Sequence, residues 1–404
     1  MQNTDNITTA MSTDSSRRTF IKYTVAAGAG LALAGTVQAA GASGKPALHN
    51  AGGRVKTKGY AFDDNGKLSP FTFERRPMGD NDILIEIKYA SICHSDIHQG
   101  RGDWGKQQTP QVPGHEIAGI VAAVGKNVTK FKVGDRAGVG CMVDSCMACE
   151  SCKSGLEQHC DNGKTLFTYG NPDAREPTGI TQGGYSTHLV VRDHFAVHIP
   201  EQIPLQEAAP LLCAGITTYS PLMKYHIKAG DKVGVAGIGG LGHMAVKLAV
   251  AKGAEVYAFT TTAAKAAAIR RIGVKDVIVV GDDLRGLQAY RGKLDYLIAT
   301  IPVQFNVAAY GALVKPYGYF TIVGIGVGGK LDDVSVIGLA MSRINLNVSL
   351  IGGMPETQEV IDFCARTGVR PQIEIIRAED VNQAWDNVIA KKARFRYVID
   401  TATI

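Results

Sequence analysis

Four cysteines, Cys146, Cys149, Cys152 and Cys160, fall within fifteen residues, separated by two, two and seven positions. Thiolates at that density can close a tetrahedral shell, the arrangement zinc prefers where it serves structure. Ferredoxin-type spacing would place the fourth cysteine sooner and follow it with proline, whereas Asp161 follows Cys160 here. Disulfides account poorly for eight cysteines in a chain of this length, and four thiols crowded into one loop leave many pairings open. A four-thiolate shell has no open position, so it can hold a lobe together but does no chemistry on a substrate. A structural zinc is the expectation.

Three further candidates are scattered. Cys93 lies in SICHSDIH, His115 in PGHEIAG and Cys213 in PLLCAG. Each alone is weak, since a buried cysteine is usually a small hydrophobe. Together they would make a Cys2His shell with an open fourth position, which is what a catalytic zinc requires.

A third cluster is built of glycine. Val233–Gly242 reads VGVAGIGGLG, a short apolar strand running into a glycine turn and then a helix. Gly237 permits the tight turn, Gly239 and Gly240 let the backbone approach a pyrophosphate, and Gly242 allows close helix packing, with Leu241 among them. The free N–H groups at the helix start complete an anion site. The next strand ends in Phe259-Thr260-Thr261-Thr262 with Lys265 just beyond, and no acid stands at its tip. An NAD site would place Asp or Glu there to hold the ribose 2′-hydroxyl. Hydroxyls and a cation suit a 2′-phosphate instead, so NADP(H) is expected. A threonine at this point can also cap the following helix.

The elements that must position these groups fall into two regions. Residues 54–200 are β-rich, with β-branched runs at Ile83–Ile87 and Ile117–Val124 punctuated by Gly, Pro and Asp. From Pro204 the period changes. Strands are predicted at Lys232–Ala236, Glu255–Phe259, Val277–Val280, Tyr296–Ala299 and Tyr319–Val323, with helices at Gly242–Lys252 and Ala263–Ile272. That alternation implies a doubly wound parallel sheet. Glu356–Gly368 is helical again and Arg396–Asp400 closes the chain as a strand.

The chain has 404 residues, 45% of them hydrophobic and 20% charged, enough for two domains with their own cores. A formal charge of +6 without a Lys/Arg run argues against nucleic-acid binding. Residues 1–39 read as a leader. Ser16-Arg17-Arg18-Thr19-Phe20-Ile21-Lys22 precedes an apolar run, Thr24–Val37, too short and glycine-rich for a stable membrane span, and small residues follow at Val37-Gln38-Ala39. The pattern resembles a twin-arginine export signal. It implies passage through the twin-arginine machinery to the periplasm, or a cytoplasmic protein if the leader is unused. Residues 40–53 are a connector.

Taken together, CHSDIH (Cys93–His98), PGHEIAG (Pro113–Gly119), the segment Val133–Cys160, PLLCAGITTYSPL (Pro210–Leu222), GIGGLGHMAVK (Gly237–Lys247) and IGGMPETQE (Ile351–Glu359) resemble the zinc-containing medium-chain dehydrogenase/reductases. The nearest branch is that of cinnamyl alcohol dehydrogenases and broad-specificity bacterial aldehyde reductases, and the likeness covers residues 54–404. It implies an α/β chain: a GroES-like β-rich catalytic domain at 54–200 completed by 351–404, and a Rossmann NADP-binding domain at 201–350. It also implies two Zn2+ per chain, the catalytic one held by Cys93, His115 and Cys213 with water or substrate fourth. Glu116 becomes either a carboxylate that approaches this metal or an acid salt-bridged behind it. Thr217 would lie against the nicotinamide, Arg396 near the pyrophosphate, and Val323 and Gly324 along the cofactor. Ser95 would hydrogen-bond the substrate oxygen and His98 would relay its proton, while Trp104, Phe167 and Leu350 are candidate apolar lining. The activity implied is interconversion of primary alcohols and aldehydes, in a homodimer. A zinc-free quinone or enoyl reductase on the same fold would lack the metal thiols, and a non-catalytic nucleotide-binding protein is the remaining alternative. Cys141 and Cys364 are read as buried thiols.

Overall fold

In the computed structural model the described residues are 53–331 and 334–404. The expected leader and nearly all of the connector lie outside them. Two sheets carry the architecture. The first has seven strands, in the order Ile373–Arg377, Arg396–Asp400, Asp82–Ser91, Ile117–Val124, Arg136–Val139 and Val197–His198, with His188–Arg192 also paired to Asp82–Ser91. Ile83, Leu84, Ile85 and Ile87 are buried and only Glu86 is exposed, so this central strand is covered on both sides over most of its first half. Each such side chain contributes roughly 1.5–3 kcal/mol by leaving water.

The second sheet is entirely parallel. Its six strands run Asp276–Val279, Glu255–Thr260, Lys232–Ala236, Leu294–Ala299, Val314–Ile322 and Asn345–Val348. The strand order reverses between Lys232–Ala236 and Leu294–Ala299, and ligands of such sheets bind at the carboxyl ends beside that switch point. Val233, Val235, Leu297 and Ile298 are fully buried, as a sheet covered on both faces requires.

The chain leaves the first sheet for the second and then returns. Arg396–Asp400 pairs antiparallel with Asp82–Ser91, placing Val398 opposite Ser91, two residues before Cys93. The α/β arrangement expected from the sequence is therefore present, with its last strand laid beside the segment that carries Cys93. The helix expected at Ala263–Ile272 differs. It begins as a 3-10 turn, Ala263–Lys265, and is α-helical only over Ala266–Arg270. Thr262 occupies the cap position but its side chain makes no cap bond, so the first turn tightens, with Lys265 N donating to Thr262 O at 3.0 Å. No helix among the described residues is long and apolar enough to cross a membrane.

Candidate active site

The four clustered cysteines converge, their sulfurs all within 4.8 Å of one another. Tetrahedral zinc–thiolate bonds place sulfurs about 3.8 Å apart. Cys146–Cys152 and Cys149–Cys160 stand at 3.8 and 3.9 Å. Backbone amides of Ala148 and Cys149 donate to Cys146 Sγ, and those of Cys152 and Asp161 to Cys149 Sγ, at 3.4–3.5 Å. The first pair draws the Cys146 thiol down to about 6. Met147, between the first two ligands, takes a left-handed φ of 57° so that the loop can curl around one point. The donor set fits a structural zinc.

Cys93, His115 and Cys213 also meet. Their ligand atoms and a carboxylate oxygen of Glu116 lie within 4.8 Å of one another, and Cys93 Sγ is 4.0 Å from Cys213 Sγ. Asp96 arranges them. Its Oδ1 takes His115 Nδ1 at 3.0 Å and Gly114 N at 3.2 Å, and its Oδ2 takes Cys93 N and Tyr185 Oη, both at 2.9 Å. With Nδ1 so engaged, His115 presents Nε2 to the cluster, the carboxylate–histidine–metal pattern. The hydrogen bond with Cys213 pulls the Cys93 thiol well below its usual range, helped by the charges of Arg396 and His115 against the effect of burial.

Glu116 is salt-bridged behind the cluster through one oxygen and leaves the other without a partner among the described residues. Its Oε1 pairs with Arg396 at 3.0 Å and accepts from Ala214 N at 3.3 Å, whereas buried Oε2 has no hydrogen-bond partner among the described residues. Burial raises this carboxyl to about 7, and Arg396 keeps it from rising further. An unpartnered carboxylate oxygen beside two thiols and an imidazole fits a metal site.

Arg396 packs behind the glycine turn, against Gly240. Its guanidinium donates to Ile92 O at 2.6 Å and pairs with Glu116, and it does not line the cavity. Gly240 accommodates it: a Cβ there would stand 2.6 Å from Arg396 Nε. The missing side chain of Gly240 thus makes room for an arginine behind the turn. At Gly239 nothing lies within 4 Å of the Cβ position, which is the opening a pyrophosphate needs. Gly237 has φ +85°, and a Cβ at Gly242 would overlap the Gly237 carbonyl oxygen.

One cavity of about 850 Å3 joins these parts. Its lining includes Cys93, His115 and Cys213, then Thr217, Gly237, Gly239, Gly240 and Leu241, then Thr260, Thr261, Thr262 and Lys265, with Val323 and Gly324 along it. Thr260 Oγ1 accepts from Thr262 N at 3.1 Å, which shapes the turn and leaves Thr261 exposed. Ser95, His98, Trp104, Phe167 and Leu350 line the same cavity. His98 Nδ1 meets Asp103 at 2.7 Å, and its buried Nε2 has no partner among the described residues. Trp104 spans the cleft, its Nε1 donating to Gly326 O at 3.0 Å.

Several contributors were not singled out from sequence. Asp96 is the third residue after Cys93, a spacing that suits a helix-cap carboxylate and could have flagged it. Tyr185, Asp103 and Thr300 gave no local signal. Thr300 Oγ1 donates to Gly237 O at 2.6 Å and steadies the turn. Cys364 is a buried thiol as expected, but Cys141 is only half-buried and lines the cavity.

A dinucleotide-sized cleft with a metal-ligating cluster in its wall defines a two-domain, metal-dependent oxidoreductase. Residues 79–201 match the alcohol dehydrogenase GroES-like domain and residues 240–366 the zinc-binding dehydrogenase domain. NADP-dependent alcohol dehydrogenase C 1 of Mycolicibacterium smegmatis is 45% identical over 337 residues, covering 83% of this chain and 95% of that protein. Aldehyde reductase YahK of Escherichia coli is 44% identical over 352 residues, covering 87% and 99%. The crystal structure of CAD from Helicobacter pylori complexed with NADP(H) superposes with a TM-score of 0.81 at 42% identity, over 86% of this chain and 99% of that one. The chain belongs to the zinc-binding alcohol dehydrogenase family.

Proposed function

We propose that this protein interconverts primary alcohols and aldehydes with NADP(H), favouring the reduction of aromatic or medium-chain aldehydes. The observation that carries this reading is that the Cys93–His115–Cys213 cluster and the glycine turn with its Thr260–Lys265 extension open into one cavity. The names of the relatives, an NADP-dependent alcohol dehydrogenase and an aldehyde reductase, support it. When bound, zinc supplies Lewis acidity towards the substrate oxygen and the nicotinamide supplies or accepts hydride.

The chain's own residues do the rest. Ser95 hydrogen-bonds the substrate oxygen, and His98 carries the proton between that oxygen and solvent. The contact of His98 Nδ1 with Asp103 leaves Nε2 as the atom that exchanges it. Thr217, whose hydroxyl lies 3.9 Å from Cys213 Sγ, packs against the nicotinamide. Trp104, Phe167 and Leu350 exclude water around an apolar substrate.

The homodimer reading is supported by Asn345–Val348, whose outer edge is unpaired among the described residues and beside which Val336, Ile337, Met341 and Val348 are each more than 70% exposed. Export through the twin-arginine machinery to the periplasm rests on Arg17, Arg18 and the apolar run after them. Cell fractionation should find a mature chain beginning near Ala40 in the periplasm; bulk protein with an intact leader in the cytoplasm would refute this. The activity is tested by zinc analysis together with an aldehyde and alcohol panel run with NADPH and NADH. Two zinc ions per chain and NADPH-preferring aldehyde reduction are expected. Two zinc ions with no aldehyde-dependent oxidation of NADPH would leave a binding protein instead.

A further inference from the structure

The loop between the helix Val381–Ile389 and the final strand Arg396–Asp400 reaches the cavity, where Lys391 and Phe395 enter the same lining as Lys265. Three features hold this loop in shape. Lys391 adopts φ +58° and its N–H closes the helix end on Val388 O at 3.1 Å. Arg394 turns its guanidinium back onto the loop's own carbonyls, the shortest bond being 3.0 Å to Lys392 O. The Phe395 ring stacks on His243 of the dinucleotide helix, 5.0 Å away and 7° from parallel, and Lys265 Nζ stands 5.8 Å from the same ring.

The two ammonium groups differ in circumstance. Lys265 is 6% exposed, and its pKa is lowered by burial first and then by the charges of Arg394 and Lys391. The Lys391 ammonium is exposed and has no ion-pair or hydrogen-bond partner among the described residues. Asp282 is the single carboxylate in the cavity lining among the described residues, against the two ammonium groups of Lys265 and Lys391. Two ammonium groups against one carboxylate leave a net positive charge that favours an anion.

We propose that Lys391, supplied by the C-terminal return segment, is a second determinant of 2′-phosphate recognition alongside the Thr260–Lys265 turn. This rests on the NADP(H) reading above. A 2′-phosphate is dianionic near neutral pH and accepts charge-assisted bonds from two ammonium groups, one from each sheet's part of the chain. A ribose 2′-hydroxyl offers neither charge nor acceptors enough for both. Selectivity for the phosphorylated cofactor would therefore be shared between residues far apart in sequence.

The test is calorimetric binding of 2′,5′-ADP and of 5′-ADP to the zinc-loaded chain, without turnover. Wild type should bind 2′,5′-ADP more tightly. Lys391→Gln should weaken 2′,5′-ADP about tenfold, the loss of one charge-assisted contact, and leave 5′-ADP unchanged. Lys391→Arg should recover most of the loss, and the wild-type advantage over Lys391→Gln should shrink in high salt. Equal weakening of both nucleotides, or of neither, would overturn the role of Lys391. Wild type binding both nucleotides equally would overturn the NADP(H) reading itself and this inference with it.

Discussion

Replacing Asp96 by Asn should weaken zinc binding at the Cys93–His115–Cys213 cluster and spare the four-cysteine zinc. Four donors converge on the two oxygens of this fully buried carboxylate: His115 Nδ1, Gly114 N, Cys93 N and Tyr185 Oη. An asparagine keeps one oxygen and puts an NH2 where the other stood. With its oxygen kept towards His115 and Gly114, the NH2 faces Cys93 N and Tyr185 Oη. The tyrosine hydroxyl can rotate to accept, but the Cys93 amide cannot, and two donors then face each other in the core. A buried donor left without an acceptor costs about 1–3 kcal/mol. The surviving bond to His115 also loses its charge assistance, about half its strength. Substitutions behind a metal ligand typically weaken metal binding about 10–100-fold, or about 1.4–2.7 kcal/mol, which matches this reasoning. Competition with a chromogenic chelator reads it directly, because the four-cysteine site serves as an internal control. One zinc should be surrendered at roughly 10–100-fold lower chelator strength than in wild type, with unchanged far-ultraviolet circular dichroism. If both metals leave together, or neither leaves sooner, Asp96 does not orient the cluster.

Ser95→Ala should lower turnover by about 100-fold or more while zinc content stays at wild-type level, and near-normal kcat would remove Ser95 from the mechanism. Gly239→Ala should fold with unchanged Tm but lose affinity for NADPH, since its Cβ meets only the cavity. Gly242→Ala should be grossly destabilised or insoluble, since its Cβ overlaps the Gly237 carbonyl; equal behaviour of the two variants would contradict the packing described. Glu157, between Cys152 and Cys160, accepts from His194 Nε2 at 2.6 Å and from Met354 N at 3.0 Å, pinning the zinc lobe to the start of the helix Met354–Thr367. Burial works to raise its carboxyl, but these two donors more than offset it, so its folded pKa lies below the ordinary value of 4.5. A depressed folded pKa means stabilisation present above the unfolded value and lost as pH falls through the folded one. Glu157→Gln should therefore cost about 2 kcal/mol in urea melts at pH 7, and this difference from wild type should hold down to about pH 5 and shrink below about pH 4.5. A gap that widens on acidification would show the sign to be wrong.

The elements were largely legible in the sequence because each is decided over a few residues. Ile117–Val124, Lys232–Ala236 and Arg396–Asp400 appear with the bounds expected. Their β-branched runs favour extended backbone, and burial on one or both faces rewards it. The Ala263–Ile272 segment departs because helix propensity does not say whether a cap bond forms at the start; Thr262 is placed for one and makes none.

The candidate site divides along the same line. By itself the sequence determined the four-cysteine cluster, since its ligands are close along the chain and a single loop must bring them together. It also determined the glycine turn and the absence of an acid after Phe259, both local matters of backbone freedom and side-chain type. Without the family resemblance, Cys93, His115 and Cys213 were three weak signals. Tertiary structure alone decided that Tyr185 joins Asp96 behind them, that the space at Gly240 belongs to Arg396, and that Lys391 enters the cavity lining with Lys265. Those contacts join residues far apart along the chain, and the Arg396–Ile92 bond beside them spans 304 positions. They exist because the chain returns to pair Arg396–Asp400 with Asp82–Ser91, and strand partners at that separation leave no mark in local spacing.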